Sequence, residues 1–549
     1  MSNDTNDASV ARAGATANPR EVDAVVVGAG FAGMYMIHRL RQLDFSVQVF
    51  EAGSDLGGTW YWNRYPGARC DVESINYSYS FDKDLEQEWE WSERYATQPE
   101  ILRYADHVAD RFDLRRSIQF GTRVTRAIFD EDTKRWDVET DQGDRLSAQF
   151  CIMAVGCLSV SKKPEVPGID SFHGPWYHTG HWPHEGVDLT GKRVGIIGTG
   201  SSAIQSIPLI AKQAEHLTVF QRTPNFSMPA KNAPLDAEQY AQLKKVYPQW
   251  REQARQSGFG VPNDLPELSA LEVDQQDRDK RYENGWEAGS LVGMLLAYND
   301  LLVNKESNDT AAEFVRQKIK SIVKDPEVAE LLAPKGHPLG TKRPCLDTGY
   351  YDTFNRDNVR LVDLHTSPIA EVTAHGLRTS TEEFDFDVLI FATGFDAMTG
   401  PLLGPDIRGR GGVALKEKWA AGPRTYLGVA SEGFPNLFMI TGPGSPSVMS
   451  NMMISIEQHV EWVTDCMAYT RAHGIVEIEA TREAEDAWVD HVNEAANATL
   501  YPSANSWYMG ANVPGKARVF MPYIGGVGVY REECDDVVAN GYKGFVLTS

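Results

Sequence analysis

The 549-residue sequence is poor in cysteine and in long apolar runs, and each shortage excludes a class of protein. Its six cysteines show no CxxC or CxxxxC pair and no zinc-ligand spacing, so neither a redox-active disulfide nor a metal site is indicated. We expect reduced thiols and a cytoplasmic location. No apolar run is long enough to span a membrane. A net charge of −23 without a long basic run argues against nucleic acid and anionic membranes as partners.

The length exceeds what one hydrophobic core supports, so two or three domains are expected. The first residues are polar and lack the apolar region of a signal peptide. After them, strand-like and helix-like segments alternate, which is typical of an α/β fold. The predicted divisions are a disordered leader over 1–20, a first nucleotide domain over 21–156 and 395–549, a second over 157–223 and 338–394, and a helical insertion over 224–337.

Two glycine-rich turns stand about 170 residues apart. The first, DAVVVGAGFAG, contains Gly28, Gly30 and Gly33, and the second, RVGIIGTGSSA, contains Gly198 and Gly200. Each follows an apolar strand pattern and precedes a helical one. Glycines in such a turn let the backbone approach a pyrophosphate, whose charge is met by the helix N-terminus. The chain is therefore predicted to carry two Rossmann-like dinucleotide-binding domains.

The residue that ends the next strand distinguishes the two turns. Glu51 follows the first turn and Arg222 follows the second. A carboxylate accepts hydrogen bonds from a bare ribose 2'-hydroxyl but repels a 2'-phosphate, which a guanidinium binds. Glu51 therefore suggests FAD or NAD, and Arg222 suggests NADP.

Two longer segments resemble the type I Baeyer–Villiger monooxygenases, above all the phenylacetone, steroid and cyclohexanone monooxygenase group. One is the pattern F-x-G-x-x-x-H-x-x-x-W-P before the second turn, formed by Phe172, Gly174, His178, Trp182 and Pro183. We interpret this pattern as a hinge or linker between domains. The other is GGTWYWNRYPGARCD at 57–71, and the resemblance continues through GTKR at 340–343, ATGFD at 392–396 and SWYMGANVPGK at 506–516.

The resemblance implies an α/β enzyme with FAD and NADP domains and a helical insertion in the NADP domain. It implies that NADPH reduces FAD, that a C4a-peroxyflavin forms with O2, and that a small ketone becomes an ester or lactone. It pairs Arg343, as the electrostatic catalyst, with Asp71, as its anchor. An arginine that keeps its proton can stabilise an oxyanion without quenching it, and a buried aspartate can orient that arginine.

The resemblance also assigns residues to each cofactor, and no metal. On the FAD side these are Gly28, Gly30, Ala32, Gly33, Glu51, Gly58, Thr59, Trp60, Trp62, Asp71, Tyr77, Val124 and Met452. On the NADP side they are Arg69, Asp71, Gly198, Gly200, Ser201, Ser202, Gln205, Arg222, Thr223, Lys342, Arg343 and Trp507. Lys342 would hold the 2'-phosphate together with Arg222 and Thr223, and Trp507 would close on the cofactor from a mobile loop.

The sequence leaves the substrate and one alternative function open. The loop Gly442–Met453 resembles the substrate side of the phenylacetone and steroid enzymes, and its three methionines either line a pocket or pack in the core. Aryl-alkyl, cyclic or steroidal ketones are expected. The alternative is a flavin N- or S-hydroxylating monooxygenase, which shares both turns but typically lacks the Trp-Pro of the linker. The oligomeric state is left open, and a monomer is compatible.

Arg222→Ala should raise the KM for NADPH far more than the KM for NADH, because the lost contact is with the 2'-phosphate that only NADPH carries. One charge-assisted contact is worth about 1.5–3 kcal/mol. Steady-state oxidation of both nucleotides measures the two constants. Equal effects on both would contradict the assignment.

Overall fold

The structure, a computed structural model, describes residues 19–549. Residues 1–18 of the predicted leader lie outside the described residues, and Arg20, where that prediction ends, already begins the first strand. The strands of this part of the chain are β1 (Arg20–Val27), β2 (Val47–Phe50), β3 (Ile118–Gln119), β4 (Val124–Asp130), β5 (Arg135–Thr140), β6 (Arg145–Met153), β7 (Trp176–His178), β8 (Arg193–Ile197), β9 (His216–Gln221), β10 (Ser227–Pro229), β11 (Cys345–Asp347), β12 (Val359–Asp363), β13 (Ile369–Thr373), β14 (Gly376–Thr379), β15 (Glu383–Asp385), β16 (Val388–Phe391), β17 (Asp406–Arg408), β18 (Leu437–Met439), β19 (Glu477–Ala480) and β20 (Phe545–Thr548).

The α-helices of the same part of the chain range from single turns to 21 residues. They are α1 (Phe31–Gln42), α2 (Thr59–Trp62), α3 (Lys83–Glu88), α4 (Gln98–Arg111), α5 (Ser201–Gln213), α6 (Ala237–Lys245), α7 (Tyr247–Gln256), α8 (Gln275–Ala288), α9 (Leu291–Leu295), α10 (Lys305–Ile322), α11 (Pro326–Leu332), α12 (Tyr350–Thr353), α13 (Gly400–Leu403), α14 (Leu415–Lys418), α15 (Met452–Ala472), α16 (Arg482–Asn497) and α17 (Val527–Ala539). None of them combines the length and apolar character needed to span a membrane.

An eight-stranded sheet carries the first glycine turn. Its order is β17-β4-β5-β6-β1-β2-β3, and β18 pairs with β6. The centre is parallel, while β4, β5 and β6 are joined antiparallel. Val25 and Val26 of β1 are fully buried in separate apolar clusters, as expected for a central strand covered on both faces. Helices α1 and α15 pack together on the Val26 side.

A five-stranded, wholly parallel sheet carries the second glycine turn, in the order β12-β9-β8-β16-β7. Its strand β8 ends directly before the second glycine turn, where the sequence predicts an apolar strand. One side packs against α5 and the helices of residues 237–332, and the other against the hairpins β13–β15. Each glycine turn thus follows a strand that pairs in parallel with both of its neighbours. These two units confirm the predicted pair of Rossmann-like folds.

Two neighbouring segments connect the sheets. After β6 the chain passes through 157–162, and after β16 it returns through 394–398. These segments run antiparallel beside each other, because the Lys162 N–H donates to the Gly394 carbonyl at 3.0 Å and the Asp396 N–H donates to the Val160 carbonyl at 2.8 Å. The second sheet is therefore inserted into the chain of the first.

Residues 224–337, predicted to be a helical insertion, contain helices α6–α11 but are not wholly helical. β10 lies within them and pairs in parallel with β11. A strand of three residues is too short to show a period of two. Several of these helices begin at a side-chain cap, including Asp236, Asp274, Asn304 and Asp325.

A buried ion pair joins the insertion to the first unit. Arg251 of α7 donates from Nε to Glu86 of α3 at 2.9 Å, and its other nitrogens donate to the Asn76 carbonyl and the Ser78 hydroxyl. The Arg251 and Glu86 side chains are only 4% and 7% exposed. Because both charges are shielded from water, each is stabilised by the other, and removal of one leaves the other uncompensated.

Arg251→Met should destabilise the protein by about 3–5 kcal/mol, because Glu86 is left as an uncompensated buried charge. Differential scanning calorimetry should show the Tm falling by roughly 5 °C or more. The matched control is Lys305→Met, which breaks an exposed pair with Asp309 and should change the Tm little. Similar shifts in the two variants would contradict the role of the buried pair.

Candidate active site

The first glycine turn is shaped for a nucleotide. Gly28 has φ +102°, and a Cβ there would lie 2.6 Å from the Ala154 carbonyl oxygen, so no side chain fits. Helix α1 begins after Gly30 without a side-chain cap, which leaves its first N–H groups available to an anion. A Cβ on Gly30 would lie 3.4 Å from the Gly58 Cα, so the segment at 57–62 closes over the turn.

Glu51 lies directly beside this turn and is 5% exposed. Its two carboxylate oxygens accept hydrogen bonds from the backbone N–H groups of Ala29 and Gly53, both at 2.7 Å. Burial raises the pKa of Glu51, and these hydrogen bonds act against that rise. A carboxylate has about four lone-pair sites, so Glu51 fixes the turn and keeps acceptors for ribose hydroxyls.

The remaining residues predicted for FAD lie in several parts of the first unit. Trp60 of α2 donates from its indole to the Tyr77 hydroxyl at 3.0 Å, edge to face with that ring. Ala32 and Gly33 are buried in α1, with Gly33 against the Gly28 carbonyl. Thr59 begins α2 and is exposed, and Trp62 ends α2 in a T-shaped contact with the His181 ring. Val124 begins β4, and Met452 begins α15.

The second turn repeats the geometry of the first. Gly198 has φ +118°, and a Cβ there would lie 2.4 Å from the Ala392 carbonyl oxygen. Helix α5 begins after Gly200, again without a side-chain cap. A Cβ on Gly200 would meet no protein atom within 4 Å, so the space beside this glycine is open. Open space, free N–H groups and a helix N-terminus fit a pyrophosphate.

Two lysines beyond this turn, Lys342 and Lys162, lie within range of the Arg222 charge. Burial, and then the charge of Arg222, lowers the pKa of Lys342, and the same two causes lower the pKa of Lys162. Each lysine lies near a like charge, which an anion bound there would offset, and the Lys162 Nζ also donates to the Asn512 carbonyl. The cluster of Arg222, Lys342 and Lys162 therefore fits the 2'-phosphate of NADP. Lys162 was missed in the sequence because nothing in its surroundings separates it from a surface lysine.

Several residues predicted for NADP already make contacts within the protein. Gln205 accepts from the Tyr65 hydroxyl at 2.9 Å and donates to the Arg69 carbonyl at 3.1 Å, which fixes the 65–69 loop on α5. The further contacts are Ser201 Oγ with Cys345 Sγ, Ser202 Oγ with Thr179 Oγ1, the Thr223 carbonyl with Thr199 Oγ1, the Arg69 guanidinium with Glu93, and the Trp507 ring with Tyr508.

Asp71 and Arg343, which are 272 residues apart in sequence, form a bidentate ion pair. The Arg343 Nε donates to Asp71 Oδ2 at 2.7 Å, and Nη2 donates to Oδ1 at 2.9 Å. Burial alone would raise the pKa of Asp71 and lower that of Arg343, but the pair outweighs burial in both cases. The pKa of Asp71 is therefore below its usual value and that of Arg343 is well above it. Both groups stay charged at neutral pH.

A third contact orients the guanidinium. The Arg343 Nη1 donates to the Val448 carbonyl at 2.7 Å. Val448 follows Ser447, which has φ +41° and whose hydroxyl lies 3.0 Å from Cys157 Sγ. A guanidinium carries five N–H groups, and three are engaged by Asp71 and Val448. One hydrogen on Nη1 and one on Nη2 remain, and the Tyr508 hydroxyl, which lies against the guanidinium, can accept one of them. One N–H group is therefore left for a ligand.

Arg343 and Asp71 lie at one wall of a cavity of about 310 Å³. Much of the cavity is lined by the segment predicted as a helical insertion. The rest is lined by residues 71–95 between β2 and β3, by residues 340–344 before β11, and by residues 448–508 after β18. Its lining includes Val72, Tyr95, Trp250, Phe259, Val261, Leu291, Val292, Met449, Tyr501 and Tyr508. Of the three loop methionines, Met449 faces this cavity, whereas Met453 is fully buried in the core and Met452 is partly buried against it.

The Phe-Gly-His-Trp-Pro segment lies at the edge of the second sheet and outside the cavity lining. β7 within it pairs with β16, and Phe172 and Trp182 are buried in apolar clusters. His178 accepts from the Gly180 N–H at 3.0 Å, and burial lowers its pKa to about 4. The segment therefore forms part of the second sheet, beside the connections between the two sheets, and its interpretation as a hinge or linker stays a prediction.

Comparison with known proteins identifies the family. A family model described as pyridine nucleotide-disulphide oxidoreductase matches residues 25–249. A Baeyer–Villiger monooxygenase from Pseudooceanicola batsensis is 45% identical, with 96% of each chain covered. A phenazine N-monooxygenase from Lysobacter antibioticus is 42% identical over 96% of this chain and 97% of that one. The solved structure of an oxidized steroid monooxygenase bound to NADP is 55% identical, covers 96% of this chain and 99% of its own, and has a TM-score of 0.93. The chain belongs to the Baeyer–Villiger monooxygenases.

Membership of the Baeyer–Villiger monooxygenases confirms the resemblance found in the motifs. The matched family model is named for disulfide chemistry, but all six cysteines of this Baeyer–Villiger monooxygenase are buried and free. The chain shares the nucleotide fold of that model without its disulfide. Residues 19–549 also contain no cluster of three or more histidine, cysteine or acidic side chains placed to bind a metal.

Gly200→Ala should weaken NADP⁺ binding while the fold stays intact, because the new methyl group meets no protein atom but occupies the space predicted for the pyrophosphate. Overpacking of about 1–3 kcal/mol corresponds to roughly 5- to 150-fold in Kd. Isothermal titration calorimetry gives the Kd, and the Tm without nucleotide reports on folding.

Gly336→Ala is the matched control, since its Cβ also enters open space but lies in an exposed loop between α11 and β11. It should change neither quantity. An unchanged Kd in Gly200→Ala would place the nucleotide elsewhere.

Proposed function

We propose that this Baeyer–Villiger monooxygenase uses FAD, NADPH and O2 to insert one oxygen atom beside the carbonyl of a small ketone, giving an ester or lactone. The observation that carries the proposal is the Asp71–Arg343 pair at the wall of a largely apolar cavity. When bound, the flavin would accept hydride from NADPH and supply activated oxygen. The two glycine turns would hold the pyrophosphates, with Glu51 on the FAD side and Arg222, Lys342 and Lys162 on the NADP side.

Arg343 would act by electrostatics. Oxygen addition to a ketone places negative charge on the carbonyl oxygen, and preorganised donors aimed at that oxygen lower the barrier. Arg343 has one N–H group left after its contacts with Asp71, Val448 and Tyr508. Its pKa, held well above the usual value by Asp71, keeps it a hydrogen-bond donor throughout the reaction. Asp71 would fix its orientation.

The cavity walls would exclude water and select the substrate. Trp250, Phe259, Leu291 and Val292 face the same cavity as Arg343, and water at that place would compete with the ketone for its donors. The apolar side chains of these walls offer no hydrogen-bond partner, which favours a neutral substrate. Neutral aryl-alkyl, cyclic and steroidal ketones match this lining.

A second candidate function is oxygenation of nitrogen or sulfur. It is favoured by the 42% identity to a phenazine N-monooxygenase. The same donors could serve it, because a soft nucleophile needs only activated oxygen and an apolar pocket. The linker ending in Trp182 and Pro183 favours the ketone reaction, as expected from the motif.

We also propose a cytoplasmic location. The support is that all six cysteines are free and buried, as is usual in a reducing compartment. Burial raises the pKa of Cys345 to about 12, so this thiol beside the candidate site is unreactive.

The direct test is to incubate the purified protein with NADPH, O2 and a panel of phenylacetone, cyclohexanone and progesterone, with an aromatic N-heterocycle and a sulfide added separately. Mass spectrometry should find a ketone product heavier by one oxygen atom. Oxygenation of the heterocycle or sulfide but of no ketone would favour the second candidate instead.

Arg343→Ala should abolish ester formation while flavin reduction by NADPH continues, because the oxyanion loses its charged donor. Loss of such a donor costs about 10²–10³-fold or more in kcat. Asp71→Ala should be less severe, since the arginine remains but loses its anchor. Stopped-flow absorbance follows flavin reduction, and gas chromatography quantifies the ester.

Arg360→Ala is the control for removing an arginine, because Arg360 forms an exposed ion pair with Glu382 and is not part of the cavity lining. It should leave both rates unchanged. Ester formation by Arg343→Ala at a rate comparable to the wild type would refute the role assigned to Arg343.

A further inference from the structure

Two tyrosines line the cavity beside Arg343 and are not used in the function proposed above. Tyr501 and Tyr508 are each only 2% exposed. The Tyr508 hydroxyl lies against the Arg343 guanidinium, and each side chain shifts the pKa of the other. A guanidinium has no acceptor, so the Tyr508 oxygen can only accept from it. The Tyr508 proton is therefore not engaged by Arg343.

The local structure fixes the Tyr508 ring. Tyr508 is the middle residue of a 3-10 turn, Trp507–Met509, which ends at Gly510 in the left-handed region with φ +69°. Its carbonyl accepts from the Met521 N–H at 2.9 Å. Its ring centroid lies 4.2 Å from that of Trp507 and 5.8 Å from that of Tyr501. A ring packed on several sides holds its hydroxyl in one place, as a preorganised donor requires.

We propose that Tyr508 is a catalytic residue that donates a second hydrogen bond, beside Arg343, to the carbonyl oxygen of the substrate. The inference rests on the proposed function and deepens it. As oxygen adds to the carbonyl carbon, the C=O π electrons move onto the carbonyl oxygen, and both donors meet the new charge. The phenol keeps its proton throughout, so the step is hydrogen bonding and no proton is transferred.

Two physical features suit Tyr508 to this role. A phenol whose oxygen accepts from a cation is polarised, which strengthens the hydrogen bond that its own proton donates. Burial raises the pKa of Tyr508 to about 12, and Arg343 acts in the opposite direction. The donor therefore remains protonated across the neutral range, with a pKa lower than burial alone would give.

The test compares Tyr508→Phe with Tyr523→Phe. Both remove one hydroxyl from a buried tyrosine, but Tyr523 bonds to His491 and lies outside the cavity lining. Tyr508→Phe should lower the kcat for phenylacetone about 10- to 100-fold. Flavin reduction by NADPH and the Tm should be unchanged, and the hydrogen peroxide released per NADPH should increase. Tyr523→Phe should retain the wild-type kcat.

A binding measurement separates this inference from the reaction itself. Phenylacetamide carries a carbonyl oxygen that accepts hydrogen bonds more strongly than a ketone and is not oxygenated. Its Kd for the FAD-loaded enzyme, from the change in flavin absorbance, should rise at least about fivefold in Tyr508→Phe and stay constant in Tyr523→Phe.

The outcomes distinguish a failure of the proposed function from a failure of the role assigned to Tyr508. If the wild type forms no ester from any ketone, the proposed function fails, while the amide Kd still tests the Tyr508 donor. If Tyr508→Phe keeps the wild-type kcat and amide Kd, the donor role of Tyr508 is wrong. A loss that appears in Tyr501→Phe and not in Tyr508→Phe would also overturn it.

Discussion

The ion pair between Asp71 and Arg343 is the interaction on which the rest of the site depends. Its two members come from different units, since Asp71 follows α2 of the first and Arg343 precedes β11 of the second. Val448, from the loop before α15, supplies the third contact. The guanidinium is therefore in place only when three distant segments meet. A charge held by two short, bidentate bonds loses little freedom when a ligand binds, because that freedom was lost on folding.

The sequence predicted the parts of the fold that depend on local rules. Both glycine turns follow from a strand, a turn and a helix within 20 residues, and Glu51 and Arg222 occupy defined positions after them. The structure adds the reason why Gly28 and Gly198 admit no side chain, since a carbonyl from the neighbouring strand's end approaches each of them. That approach joins segments over 120 residues apart, and no local pattern contains it.

The walls of the cavity could not be predicted in the same way. Trp250 and Phe259 lie in a segment whose composition indicates only helices, and the buried pair between Arg251 and Glu86 ties this segment to the first unit. Tyr508 lies in the segment SWYMGANVPGK, in which the family resemblance assigns a role only to Trp507. In each case the residue type is common in protein cores, and only the tertiary fold decides whether its polar or apolar face meets a ligand.

The two connections between the sheets, 157–162 and 394–398, have a consequence for how such a protein can change over generations. The ends of the second nucleotide unit lie within hydrogen-bonding distance of each other, so the chain of the first unit would close almost directly without it. Units with adjacent ends are readily inserted, removed or exchanged as one piece. The two sheets can thus be inherited and diversify as separable modules, each without disturbing the register of the other, while the Asp71–Arg343 pair continues to tie the two units together at the site.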